Sequence, residues 1–213
     1  MAQLKHVDIP APHGRLEGLL RLPDDEAQAS RPRMAAVVCH PHPLFGGTMH
    51  NKTVFRLATA LNAVGMPTLR FNFRGVGLST GVHDHGYGEQ DDIRAALDEL
   101  ERRFPGVALC VAGFSFGAWT GLRVGCAETR VQQLVGVGVP VASLPVDDLA
   151  NCAKPKLIVQ GALDQYGPEA KLRAWFAGIP DPKHLEIIPE TDHFLTDHLT
   201  ELEQAVVGYF RQG

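Results

Sequence analysis

The sequence lacks the features that mark several large classes of protein. No apolar run approaches the roughly 18 residues of a transmembrane helix. The 20 basic residues are outnumbered by 24 acidic ones, the formal charge is −4, and there is no basic stripe, so neither nucleic acid nor an anionic membrane is an expected partner. The 22 glycines and 15 prolines form about 17% of the chain, below the level of low-complexity sequences.

Cysteine is scarce as well. The four cysteines are Cys39, Cys110, Cys126 and Cys152. They show no paired spacing, and Cys39 and Cys110 lie in apolar runs, where cysteine acts as a small hydrophobic residue. The first residues, Met1–His6, contain no apolar segment of the kind found in a signal peptide. We therefore expect reduced thiols and a cytoplasmic protein.

The composition is that of a globular chain, with 45% hydrophobic and 21% charged residues. At roughly 150 residues per domain, 213 residues favour one medium-sized domain over two. There is no internal repeat, charge block or linker-like stretch, although Pro23–Arg33 is polar enough to predict an exposed loop. We expect residues 1–213 to form a single domain.

Short apolar runs alternate with segments of helical periodicity. The strand candidates are Leu16–Leu22, Met34–Cys39, Thr68–Phe73, Val107–Gly113, Leu134–Val139, Lys156–Gln160 and His184–Ile188, with Val7–Ile9 completing an edge hairpin. The helix candidates are Val54–Leu61, Ile93–Phe104, a helix beginning at Ser115, Pro168–Ala177 and Leu199–Phe210. This alternation predicts the α/β class, with a mostly parallel twisted sheet of about seven or eight strands and helices on both faces.

The segment Gly113-Phe114-Ser115-Phe116-Gly117 follows a buried strand candidate and precedes a helix candidate. It matches the pattern G-x-S-x-G in the strand-to-helix context that the pattern requires. Glycines on either side allow a sharp turn that holds the Ser115 hydroxyl above the sheet. The Phe116 N–H at the helix N-terminus would then face the same space, where it could stabilise an oxyanion. An ordinary turn flanked by glycines is the alternative interpretation.

A serine nucleophile needs a base and an orienting carboxylate, in the chain order Ser, Asp or Glu, His. Asp164 follows the strand candidate Lys156–Gln160, and His193 follows His184–Ile188. The carboxyl ends of parallel strands meet at one edge of the sheet, so these three side chains are predicted to come together. Asp164 as a helix cap and His193 as a neutral loop residue are the alternatives.

Three further carboxylates are ranked below Asp164 as the acid. Asp192 and Asp197 are close to His193 in sequence, and such a neighbour rarely reaches the far ring nitrogen; Glu190 is a weaker candidate still.

Taken together, these motifs resemble the α/β-hydrolase superfamily, and within it small bacterial serine hydrolases of the dienelactone-hydrolase-like and acyl-peptidase-like branches. The resemblance covers about residues 16–213 and also rests on the segments Cys39–Thr48 and Arg70–Ser79. It implies an α/β-hydrolase fold and a Ser-His-Asp triad. The Arg-Gly-x-Gly-x-Ser segment 74–79 is expected to pack beside the site and order it.

In that superfamily the loop after the third strand supplies the second oxyanion N–H, commonly from a His-Gly pair. Here Pro41 replaces the glycine, and neither Pro41 nor Pro43 has an N–H. His42 is therefore the expected donor, with Leu44 as the alternative, and His40 would be structural.

Two other kinds of site are weighed against this interpretation. The histidines of the segments 40–50 and 83–85 suggest a metal-dependent hydrolase, but no H-E-x-x-H or paired-cysteine pattern accompanies them. The glycines Gly75, Gly77 and Gly81 suggest the dinucleotide-binding pattern G-x-G-x-x-G. However, the spacing between Gly77 and Gly81 is one residue too long for this pattern, and no helix begins directly after them. A non-catalytic binding protein with the same fold is the remaining alternative.

We therefore expect a serine hydrolase that cleaves a carboxylic ester, thioester or small amide through an acyl-enzyme, with no cofactor and no metal. Its partner would be a small acyl substrate, and a homodimer is left open. The aromatic residues predicted for an acyl pocket are Phe45, Phe114, Phe116, Trp119, Tyr166 and Phe194, with Phe114 and Trp119 equally suited to the core.

The length leaves no room for a helical lid. Sixteen residues separate Val139 from Lys156, enough for one short helix around Val146–Ala150. We expect specificity to come from the loops 41–48, 81–88 and 141–152.

Overall fold

The computed structural model describes residues 4–25 and 32–212. Its eight strands are β1 Leu4–Ala11, β2 Gly14–Arg21, β3 Met34–Cys39, β4 Thr68–Phe71, β5 Ala108–Phe114, β6 Val131–Val137, β7 Lys156–Gly161 and β8 Lys183–Ile188. They form one sheet in the order β1-β2-β4-β3-β5-β6-β7-β8. Strand β2 pairs antiparallel with β1 and β4, and the remaining pairs are parallel. The predicted mostly parallel sheet is confirmed.

Helices cover both faces of the sheet, as the sequence predicted. They are α1 Lys52–Ala63, α2 Gly88–Arg103, α3 Phe116–Ala127, α4 Glu169–Gly178 and α5 Leu199–Gln212. The buried side chains of α1 and α5 pack on one face, and those of α2, α3 and α4 pack on the other. Central strands such as β3 are buried on both faces, which explains their continuous apolar sequences. No helix in these described ranges is long and apolar enough to cross a membrane.

Two predicted strands end earlier than their apolar sequences suggested. Strand β4 stops at Phe71; the Asn72 N–H still donates to the Glu17 carbonyl of β2 at 2.8 Å, but the Phe73 N–H leaves the sheet and donates to the His40 ring at 3.0 Å. Strand β6 stops at Val137, because Gly138 adopts a positive φ of 59° and directs the chain away from the ladder. Of the exposed loop predicted at positions 23–33, residues 26–31 lie outside the described residues.

The connection between β6 and β7 is short, and the fold has no lid. Residues 138–155 contain one 3₁₀ turn, Asp147–Leu149, where the sequence predicted a short helix. The connection is fixed to the helices beneath it, since the Trp119 indole donates to the Pro145 carbonyl at 2.6 Å and the Trp175 indole donates to the Val146 carbonyl at 3.2 Å. These bonds hold the segment against α3 and α4.

A buried ion pair anchors the glycine-rich segment after β4. The Arg74 guanidinium donates to Asp92 Oδ1 at 2.7 Å, and the Arg74 backbone N–H donates to Asp92 Oδ2 at 2.9 Å. The Asp92 side chain is fully buried and that of Arg74 nearly so. The second turn of α2 thereby fixes the start of segment 74–79.

We expect Asp92→Ala to lower the free energy of unfolding by about 3 kcal/mol, because the nearly buried Arg74 guanidinium would lose its counter-charge. Urea denaturation measures the effect. The neighbouring variant Asp91→Ala is the matched control: it removes an exposed pair with Arg94 and should change stability by no more than about 0.5 kcal/mol. Equal losses in the two variants would contradict the role given to the buried pair.

Candidate active site

Ser115 lies at the sharp turn between β5 and α3, as the sequence predicted. Its backbone has φ 56° and ψ −119°, a strained conformation for a residue with a side chain. A Cβ at Gly113 would overlap the Gly117 carbonyl, and one at Gly117 would lie 2.5 Å from the carbonyl oxygens of Cys39 and His40. Both glycines are therefore required by the close approach of strand and helix.

The backbone N–H of Phe116 has no acceptor within the described part of the chain, so it can bind a ligand at this turn. It belongs to the first residue of α3, so it has no acceptor within the helix. The preceding Ser115 N–H is already used, since it donates to the Val137 carbonyl at 2.9 Å. The helix N-terminus therefore presents one oriented donor beside the Ser115 side chain.

Asp164 lies in the loop after β7, with 2% of its surface exposed. Its Oδ1 accepts from the N–H groups of Tyr166 at 2.7 Å and Gly167 at 3.0 Å. Its Oδ2 accepts from Gln160 Nε2 at 2.8 Å. The alternative of a helix cap does not hold, because α4 begins only at Glu169 and its N-cap is Pro168.

His193 connects Asp164 to Ser115. Its Nδ1 lies 2.7 Å from Asp164 Oδ2, and its Nε2 lies 2.9 Å from Ser115 Oγ. The ring is 3% exposed and packs against three aromatic rings, those of Phe114, Tyr166 and Phe194. The structure thus brings together the three side chains that the sequence predicted from separate strand ends.

The carboxylates ranked below Asp164 make no contact of this kind. Asp192 Oδ1 accepts from the N–H groups of Phe194 at 3.0 Å and Thr196 at 3.3 Å, so it closes the turn that carries His193. Neither Glu190 nor Asp197 has a hydrogen bond to His193 within the described part of the chain.

The hydrogen bonds in the loop after β3 distinguish the two candidate oxyanion donors, the N–H groups of His42 and Leu44. The Leu44 N–H donates to the ring Nδ1 of His42 at 3.2 Å and is therefore occupied. The His42 N–H has no recorded acceptor among the described residues, and His42 lines the same cavity as Ser115. This favours His42 over Leu44. Burial and the nearby His83 ring also lower the pKa of the His42 side chain.

His40 has a structural position, as expected. It is fully buried, its Nδ1 lies 2.6 Å from the Pro41 carbonyl, and its Nε2 accepts from the Phe73 N–H at 3.0 Å. These two bonds fit the neutral ring with the proton on Nδ1. Burial lowers the pKa of His40 to about 4.

A cavity of about 380 Å³ opens above Ser115. Five of the six aromatic residues predicted for an acyl pocket line it, namely Phe45, Phe114, Phe116, Tyr166 and Phe194. The sixth, Trp119, is 6% exposed and belongs to the core. The lining residues, all within the described ranges, include no Asp, Glu, Lys or Arg. The cavity is therefore suited to a neutral, largely apolar ligand.

The three loops expected to set specificity do not contribute equally. Segment 41–48 lines the cavity through residues such as Phe45, and segment 141–152 does so through Ser143 and Leu144. Segment 81–88 contributes no lining residue. Its His83 instead packs behind His42, with the ring centroids 5.0 Å apart. Segment 81–88 therefore supports the wall of the cavity through His83 and does not form it, and its contribution to specificity stays a prediction.

No group of three or more His, Cys, Asp or Glu side chains suited to a metal ion occurs in the two described ranges. His40 has both ring nitrogens engaged with the backbone, and His83 Nδ1 lies 2.8 Å from Glu89 Oε1. A second cleft, between β8 and α5, is lined by residues such as His184 and Tyr209 and has no contact with the Ser115 side chain.

Arg70 and Asn72, just before the glycine-rich segment 74–79, hold the loop that carries His42. Asn72 Oδ1 accepts from the Met49 N–H at 2.8 Å, and the Arg70 guanidinium donates to the Met49 carbonyl at 2.8 Å. At the end of the segment, Ser79 Oγ donates to the Asn72 carbonyl at 2.6 Å. Arg70 and Asn72 thus hold the loop, Ser79 fixes Asn72, and segment 74–79 has no lining residue in the cavity.

Sequence reasoning missed Gln160, whose amide contacts Asp164. A signal was present, because Gln160 is a polar residue at the end of an otherwise apolar, fully buried strand segment, four residues before Asp164. Buried polar side chains are normally hydrogen-bonded, so such a residue implies a partner.

Comparison with known proteins agrees with this geometry. The Hydrolase_4 family, described as serine aminopeptidase, S33, matches residues 30–146, more than half of the chain. The chain belongs to this family of the α/β-hydrolase superfamily. An uncharacterized protein of Rickettsia prowazekii is 34% identical over 208 residues, which covers 93% of this chain and 85% of the relative.

Two solved structures extend the likeness of this α/β hydrolase. An α/β serine hydrolase homologue from Coxiella burnetii is 37% identical, with a TM-score of 0.90 and coverage of 96% of both chains. An α/β serine hydrolase without a lid from Xanthomonas campestris is 33% identical, with a TM-score of 0.90 and coverage of 99% of this chain and 94% of the other. The predicted superfamily and the lidless fold are confirmed.

Burial of His40 predicts a loss of stability in acid. The unfolded chain binds a proton at this histidine near pH 6.5, whereas the folded protein does so only near pH 4. Between these values the unfolded state binds more protons, so stability falls as pH falls, by up to about 3 kcal/mol for this group.

Substituting His40 by Asn removes this titration. The variant should be less stable than the wild type at pH 7, and the difference should shrink as the pH is lowered towards 4. Urea denaturation across this range measures it, with His50→Asn, an exposed histidine nearby, as the matched control. A difference that stays constant with pH would contradict the buried, neutral state of His40.

Proposed function

We propose that this α/β hydrolase is a serine esterase that cleaves neutral, largely apolar carboxylic esters through an acyl-enzyme on Ser115. The observation that carries the proposal is the continuous hydrogen-bonded series from Asp164 through His193 to Ser115, with distances of 2.7 and 2.9 Å, at the base of an apolar cavity. The proposed reaction needs no cofactor.

In the first half of the reaction Ser115 Oγ attacks the ester carbonyl. His193 Nε2 accepts the hydroxyl proton, and Asp164 holds the imidazole by accepting from Nδ1 and stabilises the positive charge that forms on the ring. Oxygen charge develops in the tetrahedral intermediate, and the N–H groups of Phe116 and His42 are the donors proposed to stabilise it.

In the second half His193 returns its proton to the leaving alkoxide, which departs as the alcohol. Water then attacks the acyl-enzyme with His193 again as the base, and collapse of the second intermediate releases the carboxylic acid and restores Ser115. The low exposure of His193 and Asp164 supports this role, because electrostatic interactions are stronger away from bulk water.

The first test removes the nucleophile. Ser115→Ala should lower kcat for p-nitrophenyl butyrate by on the order of 10⁴-fold or more with no loss of stability, because only the Oγ atom is removed. A fluorophosphonate probe should label the wild type at Ser115 and leave the variant unlabelled. A wild-type protein that binds the ester without cleaving it and does not react with the probe would instead be a binding protein with this fold.

The acid can be tested with a matched pair of carboxylate variants. Asp164→Asn should lower kcat by on the order of 10³-fold or more, because the amide cannot hold the His193 imidazole in the required state. Asp192→Asn changes a carboxylate directly beside His193 in sequence, but its remaining oxygen can still accept the turn bonds. It should keep nearly full activity. The opposite ranking would assign the acid to Asp192.

The family description raises aminopeptidase activity as a second candidate. An aminopeptidase must bind the substrate ammonium group, which a carboxylate normally does. The cavity-lining residues, all of them described, include no Asp or Glu, and this favours a neutral acyl group.

Isobutyryl and alanyl esters of the same alcohol have nearly the same shape. The isobutyryl group carries a methyl group at the position where the alanyl group carries its ammonium group. We expect kcat/KM to be at least about tenfold higher for the isobutyryl ester, after each rate is divided by that of uncatalysed hydrolysis. A preference for the alanyl ester would support the aminopeptidase interpretation.

A further inference from the structure

The side-chain amide of Gln160 is buried beneath the candidate active site and contacts the acid of the triad. Gln160 is the last residue but one of β7 and has no exposed surface. Its Nε2 donates to Asp164 Oδ2 at 2.8 Å and to the Gly167 carbonyl at 3.1 Å. Its side chain does not line the cavity, so it does not itself touch a ligand bound there.

The orientation of this amide is determined by its partners. Its Oε1 accepts from the backbone N–H of Val139 at 2.8 Å, and an amide nitrogen could not do this. The Nε2 group must therefore face Asp164 and the Gly167 carbonyl, which are both acceptors. Gln160 thus connects the end of β6 with the loop that carries the acid.

The position of the amide is restricted as closely as its orientation. A Cβ at position 167 would overlap both Gln160 Nε2 and the Val139 carbonyl, so the space beside the amide exists only because residue 167 is glycine. The Gly167 N–H also donates to Asp164 Oδ1. The amide and the carboxylate are therefore fixed by the same short turn.

Asp164 receives four hydrogen bonds, which a carboxylate anion has the capacity to accept. Two backbone donors hold Oδ1, while Gln160 and His193 share Oδ2. The oxygen that orients His193 is therefore the oxygen that Gln160 holds. The backbone donors alone would leave the carboxylate able to tilt about its Oδ1 contacts.

We propose that Gln160 is a positioning residue of the esterase reaction: its neutral amide donor holds Asp164 Oδ2 in line with His193 Nδ1. This inference rests on the proposed function. The positioning role requires that residue 160 donate a proton in its hydrogen bond to Asp164. A purely structural role, in which residue 160 only joins β6 to the loop of Asp164, would not require this donor.

Two substitutions test these roles in turn. Gln160→Met keeps the length of the side chain and removes both the donor to Asp164 and the acceptor of the Val139 N–H, so it tests the amide as a whole and should lower kcat by roughly tenfold or more. The Michaelis constant KM should stay within about twofold of the wild type, because Gln160 lies outside the cavity. Gln160→Glu keeps the acceptor and changes only the donor, so it separates the two roles.

Gln160→Glu has nearly the same shape but donates only while its carboxyl group is protonated. Among the described residues, Asp164 is the titratable group bonded to the amide at position 160; His193 shares Asp164 Oδ2 with it, and Tyr166 packs against the His193 ring. Ionisation of Glu at position 160 would remove the donor and place a second negative charge beside Asp164 Oδ2. The ratio of variant to wild-type kcat should therefore fall as the pH rises from 6 to 9.

Gln133→Glu is the matched control. Gln133 is also a buried strand glutamine, and its amide contacts Tyr209 with no bond to Asp164 or His193. This variant is expected to keep the wild-type kcat and pH profile. Thermal unfolding of all three variants gives the stability change separately from the kinetics.

The experiment measures p-nitrophenyl butyrate hydrolysis and fluorophosphonate labelling for the wild type and the three variants. A tenfold lower kcat in Gln160→Met with unchanged KM, together with the falling ratio in Gln160→Glu, supports the proposal. Wild-type kcat in Gln160→Met, or an equal loss in Gln133→Glu, overturns it while the esterase function stands. A wild-type protein that neither hydrolyses the ester nor reacts with the probe overturns both.

Discussion

The close packing of β5 against α3 at Ser115 is the constraint on which the rest of the site depends. Two backbones approach there until no Cβ fits at Gly113 or Gly117, and the strain of Ser115 is held in place by this contact. The carbonyl oxygens that Gly117 approaches belong to Cys39 and His40, which begin the loop leading to His42. This one turn therefore fixes the positions of the nucleophile, of the N-terminus of α3 and of the start of the loop that carries His42.

The short loops at this edge of the sheet are held together by hydrogen bonds between their polar groups. His40 connects the donor loop to Phe73, and Asn72 connects the same loop to the glycine-rich segment. The Arg74–Asp92 pair fixes that segment to α2. Gln160 forms an equivalent link on the other side, between β6 and the loop of Asp164. Because few of these polar groups have water as an alternative partner, each bond restricts the geometry of the site.

The nucleophile could be predicted from the sequence because its signal is local: two glycines, a serine and the change from strand to helix occur within a few residues. Asp164 and His193 could be predicted from a rule of topology, since the ends of parallel strands share one edge. The sequence favoured His42 as the second donor by position and kept Leu44 as the alternative, because the His42 ring contact that occupies the Leu44 N–H depends on the folded loop. Likewise, the role of Gln160 depends on contacts with Val139, 21 residues away in the chain, and Gly167, 7 residues away. These contacts form only in the folded protein.

The uncharged cavity has a consequence for the end of the catalytic cycle. Cleavage of a neutral ester leaves an acid that ionises to a carboxylate near pH 7, and none of the described residues lining the cavity is a lysine or arginine that could retain it. An anion in an apolar site without a cationic partner is unfavourable relative to one in water. In the proposed reaction, a ligand that matches the site would become one that does not, and the charge of the acid product would favour its release into water.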